Sequence, residues 1–155
     1  MSVLSSELRE WLKPGLLGVV AAVDATGQPQ IGRHWAARAL AETDVLELYL
    51  LRVAGDRCLQ IFAKQARAAL NLIELPSYRS RLFKGDCSLS GVAIDAEFLA
   101  ESVAATNRAI QGVGMPADGV QRMAGSVDPK DFVALRLVVD SIFDQSPKPG
   151  AGAPL

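Results

Sequence analysis

The sequence predicts a mainly β fold of the α+β class, a six-stranded antiparallel β-barrel flanked by helices. Six β-forming segments follow one another in hairpin order, with a short helical segment after the third and a longer one after the fifth. The chain has 155 residues, of which 50% are hydrophobic and 21% charged, which suits one domain with a buried core. We therefore predict a single domain over residues 1–144 and an extended tail over residues 145–155, where prolines and glycines exclude a helix or a central strand.

Element bounds follow from hydrophobic periodicity and from turn residues. The predicted strands cover residues 16–23, 30–40, 45–51, 66–75, 78–89 and 131–139. The predicted helix caps are Ser5 or Ser6 for a short opening helix, Asp56 after the third strand, and Asp95 for a helix over 96–111. One further helical turn is predicted within 116–124. The first strand is continuously apolar, so we expect it to be covered on both faces.

Overall charge and composition exclude several classes of partner. A net charge of -1 gives no general attraction to nucleic acid or to an anionic membrane. No apolar run approaches the length of a membrane span, and the amino terminus does not resemble a signal peptide, so we expect a cytoplasmic protein. The chain contains two cysteines and one histidine, too few for a zinc site, and Cys58 and Cys87 are predicted to be small buried thiols.

Arginines cluster in the middle of the chain. Seven of the eleven fall between Arg33 and Arg81, against five acidic residues there, which favours a local anionic ligand over a polyanionic partner. Arg52 and Arg57 flank a joint where a strand runs through glycine into a helix start, a geometry that suits a phosphate. Strand–turn–helix joints are common, however, and surface arginines are often merely solvated. The carboxylate of Asp56 would also repel a phosphate at this point.

Two strands carry unusual residue patterns. Alternation along the second strand places Ile31, Arg33, Trp35 and Ala37 on one face and Gly32, His34, Ala36 and Arg38 on the other. Gly32 and Ala36 would let something flat or bulky approach the backbone, whereas Trp35 is expected in the core and His34 in a structural, hydrogen-bonded role. On the fifth strand, Arg79 and Arg81 oppose Ser80 and Lys84, so one face is expected to meet a ligand or a partner chain. Gly85 indicates a bulge or a close crossing there.

This order of strands and helices resembles the FMN-binding split barrels of the pyridoxamine 5'-phosphate oxidase-like superfamily. The segments that carry the resemblance are the opening hairpin, the strand-to-helix joint, the start of the fourth strand, the fifth strand, and the end of the sixth. They cover residues 19–29, 55–57, 65–70, 78–85 and 143–147. The fold implied is a six-stranded antiparallel split β-barrel.

The resemblance also implies a cofactor and a partner. In that superfamily FMN lies at a homodimer interface, with its phosphate held near the second strand and the joint and its ring against the second strand. Carried over by position, the implied cofactor-binding residues are Arg33, His34, Arg52, Arg57, Arg79 and Ser80. Arg33, Arg52 and Arg57 are then expected to converge on one pocket. The implied function is an FMN-dependent oxidoreductase acting on a small-molecule substrate, with no side chain assigned as catalytic.

Departures from the superfamily pattern leave two alternatives open. The joint usually carries a serine, and a lysine after the arginine, where this chain has Asp56 and Cys58. Ser80 replaces a glutamine of the oxidase proper, and the carboxy-terminal substrate arginine and tryptophan of that enzyme have no counterpart. Vitamin B6 oxidation is therefore not expected. The alternatives are a flavin-free split-barrel dimer that binds another small anion, and a haem protein with His34 as the axial ligand.

Overall fold

A computed structural model describes residues 2–53, 56–116 and 127–155. Within these ranges the chain forms three helices and six strands, together with a 3₁₀ turn over Pro129–Asp131. In chain order they are α1 (Ser6–Trp11), β1 (Leu17–Val23), β2 (Pro29–Ala39), β3 (Val45–Leu51), α2 (Arg57–Phe62), β4 (Ala66–Glu74), β5 (Arg79–Leu89), α3 (Ala96–Gly112) and β6 (Phe132–Asp144). None of the helices in these ranges combines the length and the apolar character needed to cross a bilayer.

The six strands close into one antiparallel barrel in the order β1-β2-β3-β6-β5-β4. Each strand pairs with two neighbours, and β6 inserts between β3 and β5. Every backbone edge is thereby paired, which removes the exposed strand edges that an open sheet would leave. The fold class and all six predicted strands are confirmed, and so are the caps at Ser5, Asp56 and Asp95.

The carboxy-terminal part of the chain differs from the prediction. Strand β6 continues to Asp144, beyond the predicted end at 139. The predicted extended tail is wrong in conformation, because the chain turns back and pairs Pro154 with Phe143. Gly150 and Gly152 adopt φ of +89° and +91°, a left-handed backbone that glycine tolerates and that reverses the chain here. The helical turn predicted within 116–124 lies mostly outside the described residues.

Two apolar clusters stabilise the barrel. The larger fills the interior and includes Val20, Leu70, Phe83 and Leu137, all fully buried. The smaller lies outside the barrel wall, where α3 packs against β2, β3 and β6. Its members are Trp35, Ala36, Tyr49, Leu99, Val103, Phe132 and Ala134. The core position predicted for Trp35 is confirmed, and α3 covers the outer surface of the barrel where β2, β3 and β6 meet it.

A β-bulge in β2 changes the face of the barrel wall on which the residues after it lie. The register with β3 shifts between His34 and Ala36, so that Trp35 is the extra residue. Beyond the bulge, Ala36 packs outside under α3 and Ala37 packs inside the barrel. The predicted alternation is therefore wrong from Ala36 onward, because one inserted residue inverts the parity of every residue after it.

Gly85 and Gly32 lie where neighbouring atoms leave no room for a side chain. A Cβ on Gly85 would lie 1.8 Å from the carbonyl oxygen of Val138, at a register shift between β5 and β6. The predicted bulge and close crossing at Gly85 are both confirmed. The room predicted for a ligand at Gly32 is instead filled by the core: a Cβ there would lie 2.8 Å from Cδ2 of Leu50 and 3.3 Å from Sγ of Cys58.

Candidate functional site

Part of the outer barrel surface is not packed against α3 within the described residues. It is formed by β1, the first half of β2, β4 and β5, and we call it the open face. Val23 and Ile31 are 60% and 66% exposed on it, and Val19 is 38% exposed. The expectation that β1 is covered on both faces is therefore wrong within one chain: Val20 and Ala22 point into the core, and the alternate residues point outward. An exposed apolar surface of this kind is typical of an interaction site.

The open face contains a cavity of about 340 Å³ with a floor of small side chains. Ala21 pairs with Ala69 across the β1–β4 ladder, and each is half-buried. Lys84 lies opposite Ala69 on β5 and lines the same cavity. Because the floor residues end at Cβ, a planar group can lie close to the backbone of the sheet there.

A second cavity of about 620 Å³ adjoins the first beside α2 and the β1–β2 turn. The two cavities share Val23, and together we call them the groove. Arg57 and Lys64 line this second part. Neither side chain makes an ion pair with any residue in the described ranges, so both positive charges are available to a ligand.

Two other charged residues of the groove, Arg67 and Asp24, are already engaged. Arg67 forms ion pairs with Asp86 and Asp140. Asp24 accepts hydrogen bonds from the Thr26 hydroxyl and from the amides of Thr26 and Gln28, and these bonds lower its pKa to about 2. Its carboxylate is therefore ionised at neutral pH, with its charge compensated by those donors.

The start of α2 offers fewer free amides than the sequence suggested. The side chain of Asp56 accepts a hydrogen bond of 3.1 Å from the amide nitrogen of Leu59. This contact uses one of the unpaired amides of the first turn. The unpaired positive charge of the groove thus lies on the side chains of Arg57, Lys64 and Lys84.

Arg33 and Arg52 lie apart from Arg57 within one chain. The guanidinium of Arg33 stacks on Trp35, 4.7 Å from the ring centroid, and burial lowers its pKa. Arg52 lines a different cavity of about 250 Å³, together with Phe132 and Ile94. A single protomer therefore does not bring the three arginines into one pocket, so only a partner chain could complete such a pocket.

The predicted residues on β5 lie near the tail and α1. The hydroxyl of Ser80 donates to Oδ1 of Asn71 at 3.0 Å, and its amide donates to the hydroxyl of Ser146. Arg79 is exposed and lies 3.8 Å from the carboxylate of Glu7. Arg81 forms an internal ion pair with Asp144 at 2.8 Å.

His34 is enclosed. It is only 4% exposed, and neither ring nitrogen forms a hydrogen bond to another residue within the described part of the chain. The ring lines a cavity of about 10 Å³ rather than the groove. This burial contradicts the expectation that His34 could serve as an axial haem ligand, because a porphyrin cannot reach it.

His34 makes the stability of the fold sensitive to acid. Burial, together with the positive charge of Arg33, lowers its pKa from 6.5 to about 4. The unfolded chain therefore takes up a proton first as the pH falls, and we expect the free energy of unfolding to decrease by about 3 kcal/mol between pH 6.5 and pH 4. Urea titrations of the wild type and of His34→Gln across this range test the effect. Parallel pH profiles for the two proteins would contradict it.

Both cysteines are buried and free, as predicted. Burial raises the pKa of the Cys58 thiol to about 11 and that of Cys87 to about 12. Neither thiol is an activated nucleophile, since the thiolate is scarcely populated at neutral pH.

Comparison with solved structures identifies the fold. HupZ of Group A Streptococcus superposes with a TM-score of 0.55 at 18% identity, covering 96% of this chain and 98% of that one. An F420 reductase superposes with a TM-score of 0.51 at 17% identity, covering 86% and 94%. The chain is a split barrel. The predicted fold, a six-stranded antiparallel split β-barrel, is therefore confirmed. No protein-family model and no curated protein sequence matches it.

The sequence analysis missed part of the groove of this split barrel. Lys64 and Lys84 were not among the predicted site residues, and neither were the floor residues Ala21 and Ala69. The alternation of side chains along β1 could have predicted part of the floor, because residues 19, 21 and 23 lie on the same face of that strand. No local signal places Lys64 beside Arg57, since their proximity depends on how α2 packs against the barrel.

Proposed function

We propose that this split barrel binds FMN in the groove and acts as an FMN-dependent oxidoreductase on a small-molecule substrate. One observation carries the proposal: two unpaired cations, Arg57 and Lys64, adjoin a floor of alanines on the open face. FMN pairs a planar tricyclic ring with a phosphate, so it needs both features side by side. The flavin supplies the redox chemistry when bound, and the protein supplies binding and electrostatics.

The residues that line the groove fit FMN. Ala21 and Ala69 allow a flat ring to lie close to the sheet, and Lys84 stands at the edge of that floor with its Nζ 4.8 Å from the Phe143 ring centroid. A cation in this position would stabilise negative charge on a reduced ring. Arg57 and Lys64 would neutralise the phosphate, and an arginine can contact two phosphate oxygens at once.

Flavin fluorescence tests the proposal. We expect the wild type to quench FMN fluorescence at micromolar protein and Arg57→Ala/Lys64→Ala to bind at least about 10-fold more weakly, because two charge-assisted contacts are lost. Arg108→Ala is the matched control, since Arg108 is exposed on α3 and lines none of the cavities described above. Absence of quenching by the wild type, or equal affinities for the double variant and the control, would contradict FMN binding in the groove.

We also propose that the split barrel is a homodimer formed through the open face. Val19, Val23 and Ile31 expose apolar surface there, and a second copy would bury it. Such an interface would cover the outer face of β1 and would add the partner's side chains to the groove.

Sedimentation measures this association directly. We expect the wild type to sediment as a dimer and Ile31→Asp as a monomer, because a carboxylate buried in an apolar interface is costly. The control is Val92→Asp, which changes a comparably exposed valine beside the Arg52 cavity and should leave the dimer intact. A wild type that is monomeric at all concentrations would contradict the dimer.

The strand-to-helix joint between β3 and α2 favours a second candidate function. Asp56 holds a first-turn amide, and Cys58 is buried at the position where the superfamily has a lysine, so the groove offers fewer phosphate contacts than the superfamily pattern implies. The same groove would then bind another small anion without flavin. In that case inorganic phosphate would raise the melting temperature while FMN produced neither quenching nor a shift.

A further inference from the structure

A small cavity lies between the bulge of β2 and helix α3. Its walls come from the α1–β1 connection, from β2 and from α3, and include Gly15, Leu16, His34, Ala37 and Ser102. Its volume is about 10 Å³, which corresponds to one water-sized sphere. It lies apart from the groove and shares no lining residue with it.

Two buried polar side chains line this cavity without a partner. His34 is 4% exposed and Ser102 is 2% exposed. Both ring nitrogens of His34 and the hydroxyl oxygen of Ser102 lack a hydrogen bond to any residue in the described ranges. They also do not bond to each other. Since buried polar groups in folded proteins are almost always satisfied, and commonly by internal water, these atoms indicate a site for a small polar molecule.

We propose that one internal water molecule occupies this cavity and bridges His34 to Ser102. The volume admits a single water and excludes a larger ligand. A neutral imidazole offers one donor and one acceptor, and a serine hydroxyl can act as either, so a water can satisfy both residues at once. The bridge would connect the bulge of β2 to the middle of α3, where Leu99 and Val103 also pack.

The charges around the cavity favour a neutral occupant. Arg33 precedes His34 and stacks on Trp35, and Lys13 lines the cavity with its Nζ 2.8 Å from Glu74. No carboxylate is among the lining residues. A cation would be repelled there, and an anion larger than a single water has no room. A neutral water also agrees with a histidine that stays uncharged at neutral pH.

A crystal structure of the wild type at atomic resolution tests the site. We expect an ordered water within about 2.7–3.2 Å of one ring nitrogen of His34 and of the hydroxyl oxygen of Ser102. A direct His34–Ser102 hydrogen bond would overturn the proposal. Well-defined density for both side chains with no water between them would overturn it as well.

A solution measurement provides an independent check. Water ¹⁷O relaxation dispersion detects internal waters that exchange slowly, and we expect Ser102→Ala to lose a contribution equivalent to one such water relative to the wild type. Ser88→Ala is the matched control, because Ser88 lies on β5 away from the cavity. Equal dispersion for the wild type and Ser102→Ala would contradict the bridge. Neither outcome depends on flavin binding, so the test stands apart from the proposed function.

Discussion

Replacing Gly85 by alanine should destabilise the barrel more than any other single methyl addition on β5. The new Cβ would lie 1.8 Å from the Val138 carbonyl oxygen and 2.7 Å from its carbonyl carbon, so backbone rather than a flexible side chain would have to move. Adding a methyl group to a well-packed core typically lowers the free energy of unfolding by about 1–3 kcal/mol. A clash with the backbone of a paired strand should cost at least the upper end of that range. We expect a loss of at least about 3 kcal/mol in the free energy of unfolding.

Gly112 provides the matched control. A Cβ there meets no atom within 4 Å, and Gly112 is the last residue of α3. Gly112→Ala should therefore leave the midpoint of urea unfolding unchanged or slightly higher, since alanine favours the helix. Similar midpoints for Gly85→Ala and Gly112→Ala would show that β5 and β6 do not approach each other as described.

Replacing Arg38 by methionine should have the second large effect, because it leaves a buried carboxylate uncompensated. Glu47 is almost fully buried, and Oε1 accepts from Nη2 of Arg38 at 2.8 Å and from the Tyr49 hydroxyl at 3.0 Å. Nη1 of Arg38 also holds Asp95, the cap of α3, at 2.9 Å. We expect a loss of about 3 kcal/mol in unfolding free energy, together with fraying of α3.

Two further variants separate this effect from a general loss of charge. Arg67→Met removes an arginine that also binds two carboxylates, but on the exposed surface, and should cost less than about 1 kcal/mol. Arg38→Met/Glu47→Leu removes both partners of the ion pair, including the buried carboxylate, and should recover much of the stability. A cost of Arg38→Met no larger than that of Arg67→Met would contradict a buried role for Glu47.

The fold could be predicted because the information for it is local. Hydrophobic runs, turn residues and caps at Ser5, Asp56 and Asp95 each depend on a few neighbouring residues, and short hairpin connections pair β1 with β2, β2 with β3 and β4 with β5. The errors occur where one residue changes the geometry of those after it. The bulge at Trp35 inverted the faces of β2 beyond it, and Gly150 and Gly152 turned the tail back onto β6.

The candidate site was less predictable because it depends on long-range packing. Arg57 was found from its place at the joint, yet its neighbour Lys64 and the alanine floor come from other elements. The resemblance implied that His34 lies near the cofactor. The structure instead buries His34 beneath α3. No spacing in β2 distinguishes an exposed histidine from an enclosed one, since that depends on where α3 packs.

The most direct test of FMN binding in the groove is a crystal structure of the protein soaked with FMN. We predict that the ring density lies against Ala21 and Ala69 and that the phosphate lies between Arg57 and Lys64. FMN density beside Arg52, or at any other surface with no flavin in the groove, would contradict the proposed site.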